Sequence, residues 1–169
     1  QYPLYGLYME VRTMTEDNDG RIWVGTMDGL MSFDGHFTNP EEIQFETYRQ
    51  VSERSNVADN DIYVLYKDSE SQIWVSVFGG GLNKLVHYDK ERRVPLFKSY
   101  GIREGMNNDV VKSIVEDKDG NLWFTTEIGL SCFNKDTEQF RNYDRYDGFL
   151  NVELEESSAL RTLSGDLWL

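Results

Sequence analysis

Apolar and polar positions alternate along most of this chain, in short runs cut by clusters of Asp, Gly and Asn. "DIYVLYKD" and "VVKSIVED" show this two-residue period with β-branched and aromatic residues, which predicts a half-buried strand. "QIWVSV" and "NLWFTT" follow each of them as a second strand. After a "GL" step, "LNKLVHYD" or "LSCFN" reads as a third, and "PLFKSY" or "QFRNYD" as a fourth. Nowhere do apolar residues keep a helical spacing over three turns, so the pattern predicts an all-β chain with almost no helix.

The four-strand pattern recurs. "TEDNDGRIWVGTMDGLMSFDG" (15–35), "YKDSESQIWVSVFGGGLNKLVHYD" (66–89) and "VEDKDGNLWFTTEIGLSCFNKD" (115–136) are copies of one unit, and "LRTLSGDLWL" begins a fourth. The four tryptophans, Trp23, Trp74, Trp123 and Trp168, fall at one repeat position, 51, 49 and 45 residues apart. Gly29, Gly81 and Gly129 mark the "GL" step of the three complete units. Units of this length with four strands each have the dimensions of β-propeller blades. The predicted fold is therefore a β-propeller fragment of about three and a half four-stranded antiparallel blades, with approximate limits 8–50, 58–101, 108–144 and 156–169. Stacked blades bury aromatics between sheets, so all four tryptophans are expected in the core. The last strand is still open at Leu169, which predicts a piece of a longer array with uncovered blade faces that pair with further blades or with a second copy.

"EDKDGNLWFTTEIGL" and "EDNDGRIWVGTMDGL" resemble the two-component regulator propeller repeat, whose pattern is roughly E-D-x-x-G-x-[IL]-W-[IVF]-[GS]-T-x-x-G-L. The middle unit departs from it: "DSESQIW" lacks the turn glycine and "VFGGGL" carries one extra residue, so its turn is expected to differ. The resemblance implies a periplasmic propeller region ahead of an immunoglobulin-like domain, a membrane span and a histidine kinase, in hybrid sensors that detect oligosaccharides. "YDGFLNVELEESSALRTLSGDLWL" is similar to the closing blade of such an array, which implies a place near the end of the second propeller.

Charge narrows the partners. With 30 acidic and 17 basic residues the net charge is −13, and no run of Lys and Arg forms a basic stripe, so nucleic acid is not expected. No apolar run approaches the roughly 20 residues that cross a bilayer, and "QYPLYGLYMEVR" has no signal-peptide pattern. The single cysteine, Cys132, rules out an internal disulfide and reads as a small buried hydrophobe.

Four motifs carry possible chemistry. Aligning Gly20 or Gly120 with the glycine of a calcium loop puts Thr26 or Thr126 where a carboxylate is required, so the "DxDG" words read as turns between strands. "FGGGLNK" lacks the phosphate-loop spacing and no helix follows it. His36 and His87 are placed after the third strands of two blades, in no metal-ligand spacing. The acidic run from Asp144 to Glu156 reads as a solvated loop, with a cation or partner contact as the alternative. No cofactor, metal or catalytic residue is assigned.

What remains is the segments entering each first strand: "RQVSERSNVADNDIY", "YGIREGMNNDVV" and "YDRYDGFLNVELEES". They vary where the strands are uniform. Planar amides and guanidinium forks suit sugar hydroxyls, so Arg49, Arg54, Arg103, Asn107, Asn108 and Arg145 are the predicted ligand contacts. The function expected is a non-catalytic sensing and scaffold segment. The competing readings are a pure interaction or dimerisation platform, and a glycan-active enzyme such as a polysaccharide lyase.

Overall fold

The computed structural model describes residues 10–49, 61–148, 156 and 158–169. Three four-stranded antiparallel sheets follow one another: β1 (Val11–Glu16), β2 (Arg21–Thr26), β3 (Gly29–Asp34) and β4 (Glu46–Tyr48); β5 (Ile62–Lys67), β6 (Ile73–Val77), β7 (Gly81–Asp89) and β8 (Val94–Tyr100); β9 (Val111–Glu116), β10 (Leu122–Thr126), β11 (Gly129–Asn134) and β12 (Gln139–Tyr143). A two-stranded sheet, β13 (Leu160–Arg161) with β14 (Leu167–Trp168), follows them. Each sheet is a meander in chain order, and the first strands β1, β5 and β9 pack on one another at the inner side of the stack. Among the described residues there is no α-helix, only 3-10 turns at Pro40–Glu42, Ile102–Glu104 and Arg145–Asp147. The arrangement is that of propeller blades.

One device repeats in all three complete blades. The carboxylate after the first strand closes the turn with one oxygen: Asp17 Oδ1 accepts from the amides of Asp19 and Arg21 at 2.9 and 3.0 Å, Asp68 Oδ1 from those of Glu70 and Gln72 at 3.0 and 2.8 Å, and Asp117 Oδ1 from those of Asp119 and Asn121 at 2.9 and 2.8 Å. Its other oxygen takes the indole N–H of the tryptophan six residues on, at 2.9, 2.9 and 2.7 Å in turn. The Asp-to-Trp spacing of the repeat word is the reach of one side chain across its own hairpin. The middle blade keeps this turn without its glycine: Ser71 takes φ 66° where Gly20 and Gly120 take 77° and 80°. The expected difference is absent from this turn but present in the next one, where three residues separate the paired Val77 and Gly81 and two separate Thr26 from Gly29 and Thr126 from Gly129.

The "GL" glycine answers to a different constraint. A Cβ on Gly81 would run into the carbonyl oxygen of Tyr100, and on Gly29 and Gly129 into those of Tyr48 and Tyr143. In every blade the fourth strand's last carbonyl lies against the start of the third.

Two cores lie between blades. Trp23, Leu30, Ile62, Leu65 and Val75 fill the first, and Trp74, Leu82, Tyr100, Val111, Phe124 and Phe133 the second. The expectation that all four tryptophans are core needs correction. Trp23 and Trp74 are buried, but Trp123 is half-buried and Trp168 is 67% exposed. Burial of this residue comes from the next sheet, and β13 and β14 cover Trp123 only in part. Cys132 is likewise half-buried, with its thiol pushed up to about 11 by that burial. His87 lies inside β7, paired with Leu96, because that strand runs on to Asp89.

Candidate functional site

In this topology the connectors into each first strand share a rim with the turns between second and third strands. The two are joined there by backbone bonds: Phe78 N–H donates to Asp61 C=O at 2.9 Å and Gly81 N–H to Asp109 C=O at 2.9 Å. Every predicted ligand residue belongs to these connectors, but the structure gives them different tasks.

Arg49 is exposed and pairs with Asp28 of the β2–β3 turn at 2.9 Å. Arg54 lies outside the described residues. Arg103 and Arg145 are exposed on the 3-10 turns that leave β8 and β12. Asn107 and Asn108 bond internally through their amide oxygens, while the Asn107 amide nitrogen is buried without a hydrogen bond. The Asn107 amide oxygen accepts from the hydroxyls of Thr126 and Ser131 at 3.1 and 3.0 Å, and the Asn108 oxygen from the amide of Val110 at 2.7 Å. Their role in this structure is to fasten the connector to β10, β11 and the start of β9.

The connectors are also less varied than the sequence reading expects. "YGIREG" and "YDRYDG" form the same turn: the Glu104 carboxylate accepts from Gly101 N–H at 2.8 Å, the Asp147 carboxylate from Asp144 N–H at 3.1 Å, and Gly105 and Gly148 close the turns at φ 109° and 93°. Asp144 and Asp147 of the acidic run therefore serve the backbone first. Arg145 stacks on the exposed Tyr146, its guanidinium carbon 4.8 Å from the ring centre.

Sequence reasoning missed a row nearer the inner strands. In each of β1, β5 and β9 the ladder skips one residue: Val11 and Thr13, Ile62 and Val64, and Val111 and Ser113 pair with consecutive partners. The skipped residues are Arg12, Tyr63 and Lys112, and all three are half-buried. A bulge frees its residue from the pleat and re-aims the side chain. Each stands five positions before the turn aspartate, a register that the alternation alone does not reveal.

The row is electrostatically dense. The Arg12 guanidinium lies 4.8 Å over the Tyr63 ring, and its terminal nitrogens reach Glu156 at 2.5 Å and Asp61 at 3.1 Å, while its Nε is buried without a hydrogen bond. Phe78 sits beside Tyr63 with ring centres 5.5 Å apart. Burial raises the Tyr63 phenol above its ordinary range, and the negative charges of Glu156, Asp61 and Glu127 add to that rise.

On the opposite rim a buried ion cluster joins the second and third blades. Lys135 Nζ lies 2.7 Å from Glu116 Oε1 and 3.1 Å from Asp68 Oδ2, with 9%, 3% and 0% of the respective side chains exposed. Burial works against the ammonium charge, but hydrogen bonds to Glu116 and Asp68 hold the Lys135 pKa above its ordinary value. Glu116 also accepts from the Ser69 amide at 2.7 Å and the Ser69 hydroxyl at 2.9 Å. This cluster fixes blade against blade, and the exposed Glu70 carboxylate lies 3.7 Å from the same ammonium.

Residues 6–28 and 105–127 match the family model described as the two component regulator propeller. Each match falls on the first two strands of a blade, the first and the third. Histidine kinase P4 of Formosa agariphila is 29% identical over 160 residues, which cover 92% of this chain and 11% of that kinase. The chain thus spans about a tenth of the curated relative it matches. Among solved structures, the extracellular domain of a hybrid two component system from B. thetaiotaomicron is similar over 97% of this chain and 28% of that one, with a TM-score of 0.54 and 17% identity. PorZ, a surface component of the type-IX secretion system of Porphyromonas gingivalis, reaches 0.65 at 16% identity over 90% of this chain and 23% of its own. Virginiamycin B lyase of Staphylococcus aureus reaches 0.62 at 12% identity over 98% and 50%. At these identities the likeness is one of fold, an architecture that proteins of unrelated activity share.

Proposed function

We propose that these blades belong to the sensing region of a hybrid two-component system, that they lie outside the cytoplasm on the periplasmic side, and that they recognise an oligosaccharide without transforming it. The match of two blades to the regulator propeller repeat carries this reading, and the identity to a histidine kinase along nearly the whole chain supports it. The chemistry of the rim is compatible with it. Guanidinium groups, carboxylates and aromatic rings converge there, the groups that suit sugar hydroxyls and sugar faces. A ligand that binds one packing of the blades better than another shifts the balance between them, and that shift is the signal handed to the kinase.

The test is autophosphorylation of the intact protein in membrane vesicles, titrated with oligosaccharides of differing composition. A saturable change with one sugar supports the reading. A response to none of them would leave the blades as a structural platform.

A further inference from the structure

The three bulged residues combine unusual position with unusual chemistry. The inner strands β5 and β9 carry mostly buried side chains at their paired positions, yet at the one position the ladder releases β1, β5 and β9 hold the half-buried polar residues Arg12, Tyr63 and Lys112. The groups around the row come from separate parts of the chain: Arg12 from β1, Asp61 and Tyr63 from the start of the second blade, Phe78 and Glu127 from the turns after β6 and β10, and Glu156 from the connector before β13.

The balance of charge defines what such a place can hold. Both terminal nitrogens of Arg12 are engaged by Glu156 and Asp61, and Glu127 adds a third carboxylate. An anionic group would meet like charges beside a guanidinium already neutralised. A hydroxyl-rich neutral molecule meets complementary partners: carboxylates that accept from its hydroxyls, a phenol that both donates and accepts, and an ammonium at Lys112 that donates. The paired Tyr63 and Phe78 rings add apolar surface for the C–H face of a sugar.

Resting on the oligosaccharide reading above, we propose that Arg12, Tyr63 and Lys112 form a rim subsite for an uncharged oligosaccharide. Tyr63 and Lys112 make the direct contacts, and Arg12 positions the Tyr63 ring and the two carboxylates. Arg49, Arg103 and Arg145 are exposed on the connectors and are not needed for it.

The test is calorimetric titration of the intact protein with a neutral set (cellohexaose, mannohexaose and xylohexaose) and an anionic set (hexagalacturonate and a chondroitin sulfate hexasaccharide). Wild type is compared with Tyr63→Ala, Tyr63→Phe and Lys112→Ala. The expected result is binding of a neutral hexasaccharide, weakened about tenfold or more by Tyr63→Ala and severalfold by each of the other two. Unliganded melting midpoints separate loss of contact from loss of fold. Should Tyr63→Ala fail to fold, Tyr63→Phe and Lys112→Ala decide the matter. A neutral sugar bound equally by wild type and every folded variant overturns the subsite but leaves the sensor reading in place. Binding confined to the anionic set overturns the ligand class alone. Binding of neither set overturns both.

Discussion

The indole N–H of Trp74 donates across 2.9 Å to the buried carboxylate of Asp68, and the same carboxylate oxygen lies 3.1 Å from Lys135 of the next blade. One side chain thus closes its own hairpin and fastens the neighbouring sheet. Asp68→Ala strands the indole N–H and leaves Lys135 with Glu116 as its buried partner, and the expected loss is roughly 2–4 kcal/mol. Asp17→Ala removes the same hairpin clasp where the carboxylate is half-buried and holds no buried cation, and costs about 1–2 kcal/mol. Urea unfolding midpoints of the two variants, compared at constant slope, test the ranking.

Lys135→Met leaves the carboxylates of Asp68 and Glu116 facing each other without their cation. A loss of about 3–5 kcal/mol is expected, and added salt should restore little of it because the cluster is shielded from solvent. Combining it with Glu116→Gln should cost less than the two single losses together. Strict additivity in the double-mutant cycle would contradict the coupling.

Backbone constraint gives predictions of opposite sign. Gly81→Ala drives a methyl group into the Tyr100 carbonyl and should cost at least ~2 kcal/mol. Gly79→Ala has a similar positive φ, 63°, but open space around it, so about 1–2 kcal/mol is expected. Ser71→Gly relieves a left-handed serine at φ 66° and should stabilise by about 1 kcal/mol, against the usual effect of adding glycine to a chain. A melting point that falls on Ser71→Gly would mean that the serine side chain contributes more than its strain.

Asp117 sets a pH dependence. Burial opposes its charge, but the Trp123 indole, the Asn121 side chain and the amides of Asn121 and Asp119 together hold its pKa below the ordinary 3.8. Its contribution to stability is complete above that value and is lost as pH falls through the lowered one. Trp123→Phe removes one donor and narrows the gap between folded and unfolded pKa. The variant's stability should therefore fall less steeply with acid below about pH 4 than wild type's. Parallel curves would deny the indole a part in the shift.

Much of this was legible in the sequence, and the reasons are local. Asp17, Asp68 and Asp117 act within six residues of their own tryptophans, so the device is written as a contiguous word. The strands follow from alternation and the "GL" glycine from its constant place. The bulges at Arg12, Tyr63 and Lys112 are not written that way, because a skipped residue is a property of two paired strands, and the alternation of one strand does not record it. The same limit explains Trp123 and Trp168, where burial depends on what lies across the interface. Nor does the sequence show that the amide oxygens of Asn107 and Asn108 bond to neighbouring hydroxyls and to the backbone, because those partners come from other strands and from the local turn.

The two joints between blades are built differently. Trp23 meets Tyr88 edge-on at 5.6 Å with Arg21 stacked 4.3 Å over the same ring, whereas Trp74 meets Phe133 at 5.8 Å above the Lys135 cluster. Each unit carries its own clasp, but each junction has its own lock and key. A copy of one unit can therefore fold its hairpin anywhere in such an array and still be refused at the wrong junction. In this chain the units share one internal clasp but are not interchangeable at their boundaries, because each junction uses its own partner residues.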